Sequence, residues 1–286
     1  MKKTRFMMIC LLLKLSTKIF ADDFSNSDLS WKNYISYEAA ESNFDSAYLF
    51  HTDFGTAVLK RSIFNNTVIE DSGFVNADMS GCEFSKCNIK SSAFINTTLE
   101  KSIFNDCIIN GTKADGSNMQ NTNFNNIIIQ NSSFEGAKLI GAIFLNNNLL
   151  NLKFDWADLT KSQFLKSEKG EYRNTPLKNL SFQNANLSSA TIRSFVLDRT
   201  SFEGANLNYA DLSLSKLINC NFNNANLSNA FVSEATFIKC SFSRTNLSGT
   251  ILVKTIYEDE GLTWPVSLEW LTNQGAFWDE GNPPLL

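Results

Sequence analysis

The chain of 286 residues has one histidine, four prolines, and charged residues at only 19%. The lone His51 has no serine or cysteine partner at motif spacing, so no Ser-His or Cys-His nucleophile can be read. The six cysteines, Cys10, Cys82, Cys87, Cys107, Cys220 and Cys240, show no zinc-site spacing. Scarce proline argues against long disordered linkers. The apolar run Phe6–Leu13 is too short to cross a bilayer as a helix. Positive charge is also short: residues 1–21 hold five Lys/Arg and no acid, and the remainder has 20 basic against 29 acidic groups. Nucleic-acid affinity rests on Lys and Arg neutralising phosphates, so direct nucleic-acid binding is not expected.

What is abundant is phenylalanine, asparagine and a beat of five. From Phe44 to Phe164 an apolar residue recurs at every fifth position, Phe alternating with an aliphatic residue: Phe44, Leu49, Phe54, Leu59, Phe64, Ile69 and onward. Only Ala114 breaks the alternation. Two places before each centre stands a small residue, such as Ser42, Ala47, Thr52, Ala57, Cys82 or Cys87; the exceptions are Ile127, Asn147 and Leu152. A second block, 177–254, has the same beat, and Phe182, Phe202, Phe222 and Phe242 lie twenty apart. Asn186, Asn206, Asn226 and Asn246 do likewise.

A period of five fits neither a helix nor a flat strand. It requires a coil that turns once per five residues, and the columns of twenty set four sides per circuit. The small residue fills a crowded interior corner, where a bulky one would overpack. About ten circuits at the ~4.8 Å strand spacing give a body roughly 50 Å long. The Asn column is expected as an amide ladder holding coils in register.

Ala157-Asp158-Leu159, Ala185-Asn186-Leu187, Ala205-Asn206-Leu207, Ala210-Asp211-Leu212 and Ala225-Asn226-Leu227 resemble the pentapeptide-repeat family, whose loose pattern is Ala, Asp or Asn, Leu and two free residues. The resemblance covers about 44–164 and 175–252. It implies an all-β, right-handed quadrilateral β-helix, a shape with several uses that fixes no single function.

The organisation read from the chain is a signal peptide at 1–21, an N-terminal cap at 22–43, repeats at 44–164, a projecting loop at 165–176, repeats at 177–254 and a partly helical C-terminal cap at 255–286. Lys2, Lys3 and Arg5 before a short apolar run and Ala21 give the export pattern. An uncleaved membrane-surface anchor and an organelle transit peptide are the alternatives. The N-terminal cap has a helix as one option. The loop presents Lys166, Glu168, Lys169, Glu171, Tyr172 and Arg173 as a candidate partner surface, against the plainer reading of an inserted loop. Trp264, Phe277 and Trp278 suit either a shield over the last coil or a homodimer contact.

Asp115, Glu135 and Asp155 lie twenty apart and form a weak candidate cation column, against a solvated acidic face. Cys87 with Cys107, and Cys220 with Cys240, are expected to stack as buried small hydrophobes. Ile63, Ile103, Ile108, Ile128 and Ile143 sit where polar residues are usual. No cofactor is expected. The leading function is a non-enzymatic, exported bacterial scaffold that binds an unidentified protein. The alternative is a duplex-DNA mimic acting on a type II topoisomerase, as the resemblance to fluoroquinolone-resistance members suggests. Charge divides poorly for that, at -7 over 22–164, +3 over 177–254 and -6 over 255–286. An enzyme centred on the loop is a third option without specific support.

Overall fold

A computed structural model describes residues 21–167, 175–258 and 276, and contains no helix among them. The chain winds as a four-sided coil of twenty residues per circuit, and each strand pairs in parallel with the next coil. The pairing runs in register, Leu49 to Ile69 and Ile109 to Ile129, for example. The first wall is centred on Phe44 and its column, the second on Leu49, the third on Phe54 and the fourth on Leu59. The second wall carries an eleven-stranded sheet from Tyr48–Phe50 to Ile256–Glu258. The first carries a five-stranded sheet from Glu83–Ser85 to Gln163–Leu165. The other two are joined by single-residue parallel bridges, such as Asp53 to Gly73 and Val58 to Asp78.

Each corner has a local cause. The residue two places past a centre takes a left-handed conformation, as in Asn66 (φ 53), Asn126 (φ 52) and Asn184 (φ 56). That region costs most L-residues about 1–2 kcal/mol, and Asn and Gly tolerate it best. The abundance of asparagine therefore has a backbone reason, which the five-residue beat alone does not reveal.

The small residue before each centre is buried as expected, and several of those that carry a hydroxyl also bond. Ser62 Oγ accepts from Ser42 N at 3.0 Å and donates to Ala39 O at 3.0 Å. Thr122 Oγ1 donates to Leu99 O, and Thr245 Oγ1 to Phe222 O, each at 2.8 Å. At Ser62 the hydroxyl satisfies two corner backbone groups without a backbone partner, Ser42 N and Ala39 O, and at Thr122 and Thr245 it adds a second donor to a turn carbonyl. Asn147, an apparent exception, does the same with an amide: Nδ2 donates to Phe124 O at 3.0 Å and Oδ1 accepts from Ile127 N at 3.0 Å.

Inside, phenylalanine rings stack coil on coil. On the first wall Phe44, Phe64, Phe84 and Phe104 follow one another with centroids 4.6, 4.9 and 4.4 Å apart. The third wall repeats this from Tyr34 to Phe94 and from Phe134 to Phe242.

The segment 22–43, read as a cap with a helix as one option, is itself a coil. Asp23, Asp28, Asn33 and Glu38 bridge to Asn43, Tyr48, Asp53 and Val58. Phe24 and Tyr34 stack on Phe44 and Phe54, each at 4.9 Å. Aromatic Tyr34 and small Ala39 hold core columns there, which disguises the beat. The repeats also run past residue 254, because Ile256–Glu258 pairs with Thr236–Ile238. Most of the expected C-terminal cap, with Trp264, Phe277 and Trp278, lies outside the described residues, as does the expected signal segment up to residue 20. Ala276 is buried.

Candidate functional site

The loop interrupts one circuit at the corner between the first and second walls. Asp158 meets Asn186, a step of 28 residues where other coils step by 20. Winding therefore resumes in the same columns after the interruption. Lys166 stands at the base, its Nζ 3.3 Å from Ser194 O and 4.2 Å from the centre of the Phe195 ring. Ser167 N donates to Asn146 Oδ1 at 2.7 Å. Glu168, Lys169, Glu171, Tyr172 and Arg173 lie outside the described residues.

Asp115, Glu135 and Asp155 do fall in one column on the third wall. Asp115 Oδ1 accepts from Glu135 N at 3.0 Å and from Ser133 Oγ. Asp155 Oδ1 accepts from Gln183 N at 3.0 Å and from Ser181 Oγ. Two of the three carboxylates thus tie their own coil to the next. Lys113 and Lys153 flank them in the neighbouring register column. Among the described residues no group of three or more His, Cys, Asp or Glu is placed to hold a metal ion.

The stacked cysteines are buried and free. Cys87 N donates to Cys107 Sγ at 3.4 Å, so the thiol occupies the place that a serine hydroxyl takes elsewhere. Burial pushes the Cys82 thiol up to about 12. The bond to Cys107, followed by burial, raises Cys87. Thiols held protonated are poor nucleophiles and poor metal ligands. His51 is exposed and stacks on Trp31 at 4.2 Å.

The Asn column forms the expected ladder. Asn206 Nδ2 reaches Asn186 Oδ1 at 3.1 Å, Asn226 reaches Asn206 at 3.3 Å, and Asn246 reaches Asn226 at 3.0 Å. A second ladder, unforeseen, joins Asn110, Asn131, Asn151 and Asn179 at 2.8–3.0 Å. Its signal was present in the spacing of Asn131 and Asn151; the loop hid the step to Asn179.

The outer walls carry large apolar side chains. Ile63 and Ile108 are exposed, while Ile103, Ile128 and Ile143 are half-buried. More telling are Trp31, Trp156, Tyr209 and Leu214, exposed by 70, 65, 55 and 42%. All four occupy left-handed corners, at φ 61 for Trp156 and φ 57 for Tyr209. Phe231, also exposed, bridges to Asp211, which lies between Tyr209 and Leu214 in the chain. Tyr209 and Phe231 therefore gather where the fourth wall meets the first, and Leu214 stands at the next corner, between the first and second walls.

These features define a parallel β-solenoid with four sides, a hydrogen-bonded wall and a fixed outward display. The family model described as pentapeptide repeats (8 copies) matches five stretches that together span residues 73–121, 127–164 and 181–252, more than half of the chain. The chain belongs to the pentapeptide-repeat family. Among solved structures it is similar to HetL, a pentapeptide repeat protein involved in heterocyst differentiation regulation from the cyanobacterium Nostoc sp. strain PCC 7120. That likeness has 15% identity and a TM-score of 0.31, covering 89% of this chain and 97% of that one. A trypsin-treated form of QnrB1, a plasmid-mediated fluoroquinolone resistance protein, matches at 15% identity and a TM-score of 0.43, covering 89% and 90%. A pentapeptide repeat protein from the Arabidopsis thaliana thylakoid lumen matches at 22% identity and a TM-score of 0.16, covering 58% and 72%. These likenesses concern fold alone. No curated protein matches the chain.

Proposed function

We propose that this protein is a non-enzymatic scaffold whose corner side chains dock a protein partner. Pentapeptide-repeat proteins are generally structural or interaction proteins. The observation that carries the reading is the set Trp156, Tyr209 and Leu214, exposed on left-handed corners. Asn or Gly fits that backbone at lower cost, by about 1 kcal/mol. Strain held by large exposed apolar groups on a rigid wall points to binding, since aromatics anchor interfaces. A duplex-mimic reading is less well supported: Lys60, Arg61 and Lys90 pair with Asp78, Glu41 and Glu70, which breaks up an acidic row.

Export and a homodimer contact through Trp264, Phe277 and Trp278 belong to the same proposal. The mass of the protein's N-terminus in fractionated cells tests the first, and sedimentation tests the second. The central test is the triple variant Trp156→Asn, Tyr209→Asn, Leu214→Asn. It is expected to unfold at higher urea than the natural chain while losing proteins captured by it, read by comparative mass spectrometry. Identical capture by both chains would sink the reading.

A further inference from the structure

The third-wall ring ladder stops at Phe94 and resumes at Phe134, because Ala114 stands between them. Two coil steps of about 4.8 Å separate those rings, which is room for one more ring in the stack. The neighbours have not closed the gap. An interior cavity of about 20 Å³, measured as room for the centre of a water-sized sphere, lies there, lined by Phe94, Phe104, Met119, Phe124, Phe134 and Thr112 among others. Two further signs fall at the same place. Phe94, Phe104, Met119 and Phe134 each keep 3% of their surface and Ile109 keeps 5%, whereas Phe54, Phe64, Phe74 and Phe84 keep none. Thr112 Oγ1 is buried and has no partner. Its counterpart Thr122 reaches the carbonyl 23 residues back, whereas Ser92 and Ser132, one coil to either side, turn to Lys90 O and Gln130 O instead.

We propose that this gap is an internal binding site for a small apolar guest of about the size of a xenon atom. Volume alone admits a water, but water also needs two to four polar partners. The walls are rings and aliphatic chains with one hydroxyl, so an apolar occupant is favoured. Such a guest restores the dispersion contacts that the lining side chains lack. It takes the position that a phenyl group holds in the coils above and below.

The test uses the whole protein with xenon as the probe. Xenon under pressure is expected to raise the unfolding midpoint by about 2 °C. Xenon is expected to show a bound 129Xe resonance distinct from the solvent signal. Ala114→Phe fills the site from within and should abolish both effects. Ala114→Leu, a smaller filling, serves the same purpose if the ring proves too large to fold. No response from the natural chain, or an equal response from a folded filled variant, would overturn the proposal.

Discussion

Before the loop, the first wall is a ladder of rings from Phe44 to Phe164; after it, Ile192, Leu212, Val232 and Leu252 hold the same column. The third wall keeps its rings on both sides, with Phe154 stacked on Phe182 across the long coil at 5.1 Å. Net charge changes sign as well, from -7 over 22–164 to +3 over 177–254. The continuous amide ladder on the fourth wall belongs to the later coils; earlier that column reads Val58, Asp78, Thr98, Asn118, Lys138 and Asp158. Yet the coil continues through all of this in one register. Its backbone is set by what recurs, namely a large apolar centre, a small residue before it and a tolerant corner after it. The side chains that differ between the blocks are free to set stability and partners.

The largest expected effect tests whether the ring ladder gives the earlier block something that aliphatic packing does not. Phe144 stacks on Phe124 at 4.8 Å and Phe164 at 4.6 Å, and meets Phe154 edge-on at 6.2 Å. Phe144→Ala should cost about 4 kcal/mol, and Leu212→Ala in the same column about 3 kcal/mol. Hydrogen exchange of the flanking coils reads each loss locally, as a solenoid with nearest-neighbour contacts requires. Equal losses would show that stacking adds nothing to burial.

The amide ladder gives the next contrast. Asn206→Ala removes the bonds to Asn186 and Asn226 and the acceptor for Asn208 N. Its cost should be about 2 kcal/mol. Asn118 holds the matching column in the earlier block and accepts only a 3.3 Å bond from Gln120 N. Asn118→Ala should cost about 0.5 kcal/mol, with urea unfolding as the measurement. Corner glycines come after these. Gly136 sits at φ 64 with nothing within 4 Å of an added Cβ, so Gly136→Ala should cost about 1 kcal/mol of backbone strain alone. At Gly204 (φ 67) the added Cβ would also meet Asn184 Oδ1. Gly204→Ala should therefore unfold at lower urea than Gly136→Ala, and the reverse order would mean that strain is not the main cost.

Much of this fold was legible because a period of five has few physical solutions, and the columns of twenty then count the walls. The size of the small residue was legible from its neighbours; its hydrogen bonds were not, because they join atoms 20 and 23 residues apart. Ala114 was visible as a break, but whether its neighbours would close the gap is a question of packing. The acidic column was found by spacing alone. That Asp115 and Asp155 accept bonds from the next coil depends on side-chain direction, which spacing does not contain. Trp156, Tyr209 and Leu214 passed unnoticed because the corner conformation that makes them costly is a backbone property.

The smallest effect separates the blocks by pH. Cys82 lies alone in its column of small residues, and burial raises its thiol from 9.0 to about 12. Below pH 9 the thiol is protonated in the folded and unfolded chains alike. Above 9 only the unfolded chain ionises, so stability falls as pH rises toward 12. The loss should reach about 0.8 kcal/mol at pH 9.5. Cys82→Ser keeps the corner bond, since Ser62 and Ser102 make it from the same position, and removes the titration. The bond to Cys107 and burial raise Cys87 in the same block, and burial raises Cys240 in the later one, so some alkaline loss should survive the substitution. Urea midpoints at pH 8 and 9.5 for the two chains measure the difference. If Cys82→Ser weakens as steeply as the natural chain, Cys82 does not carry the alkaline sensitivity, and the contrast reduces to rings, charge and amides.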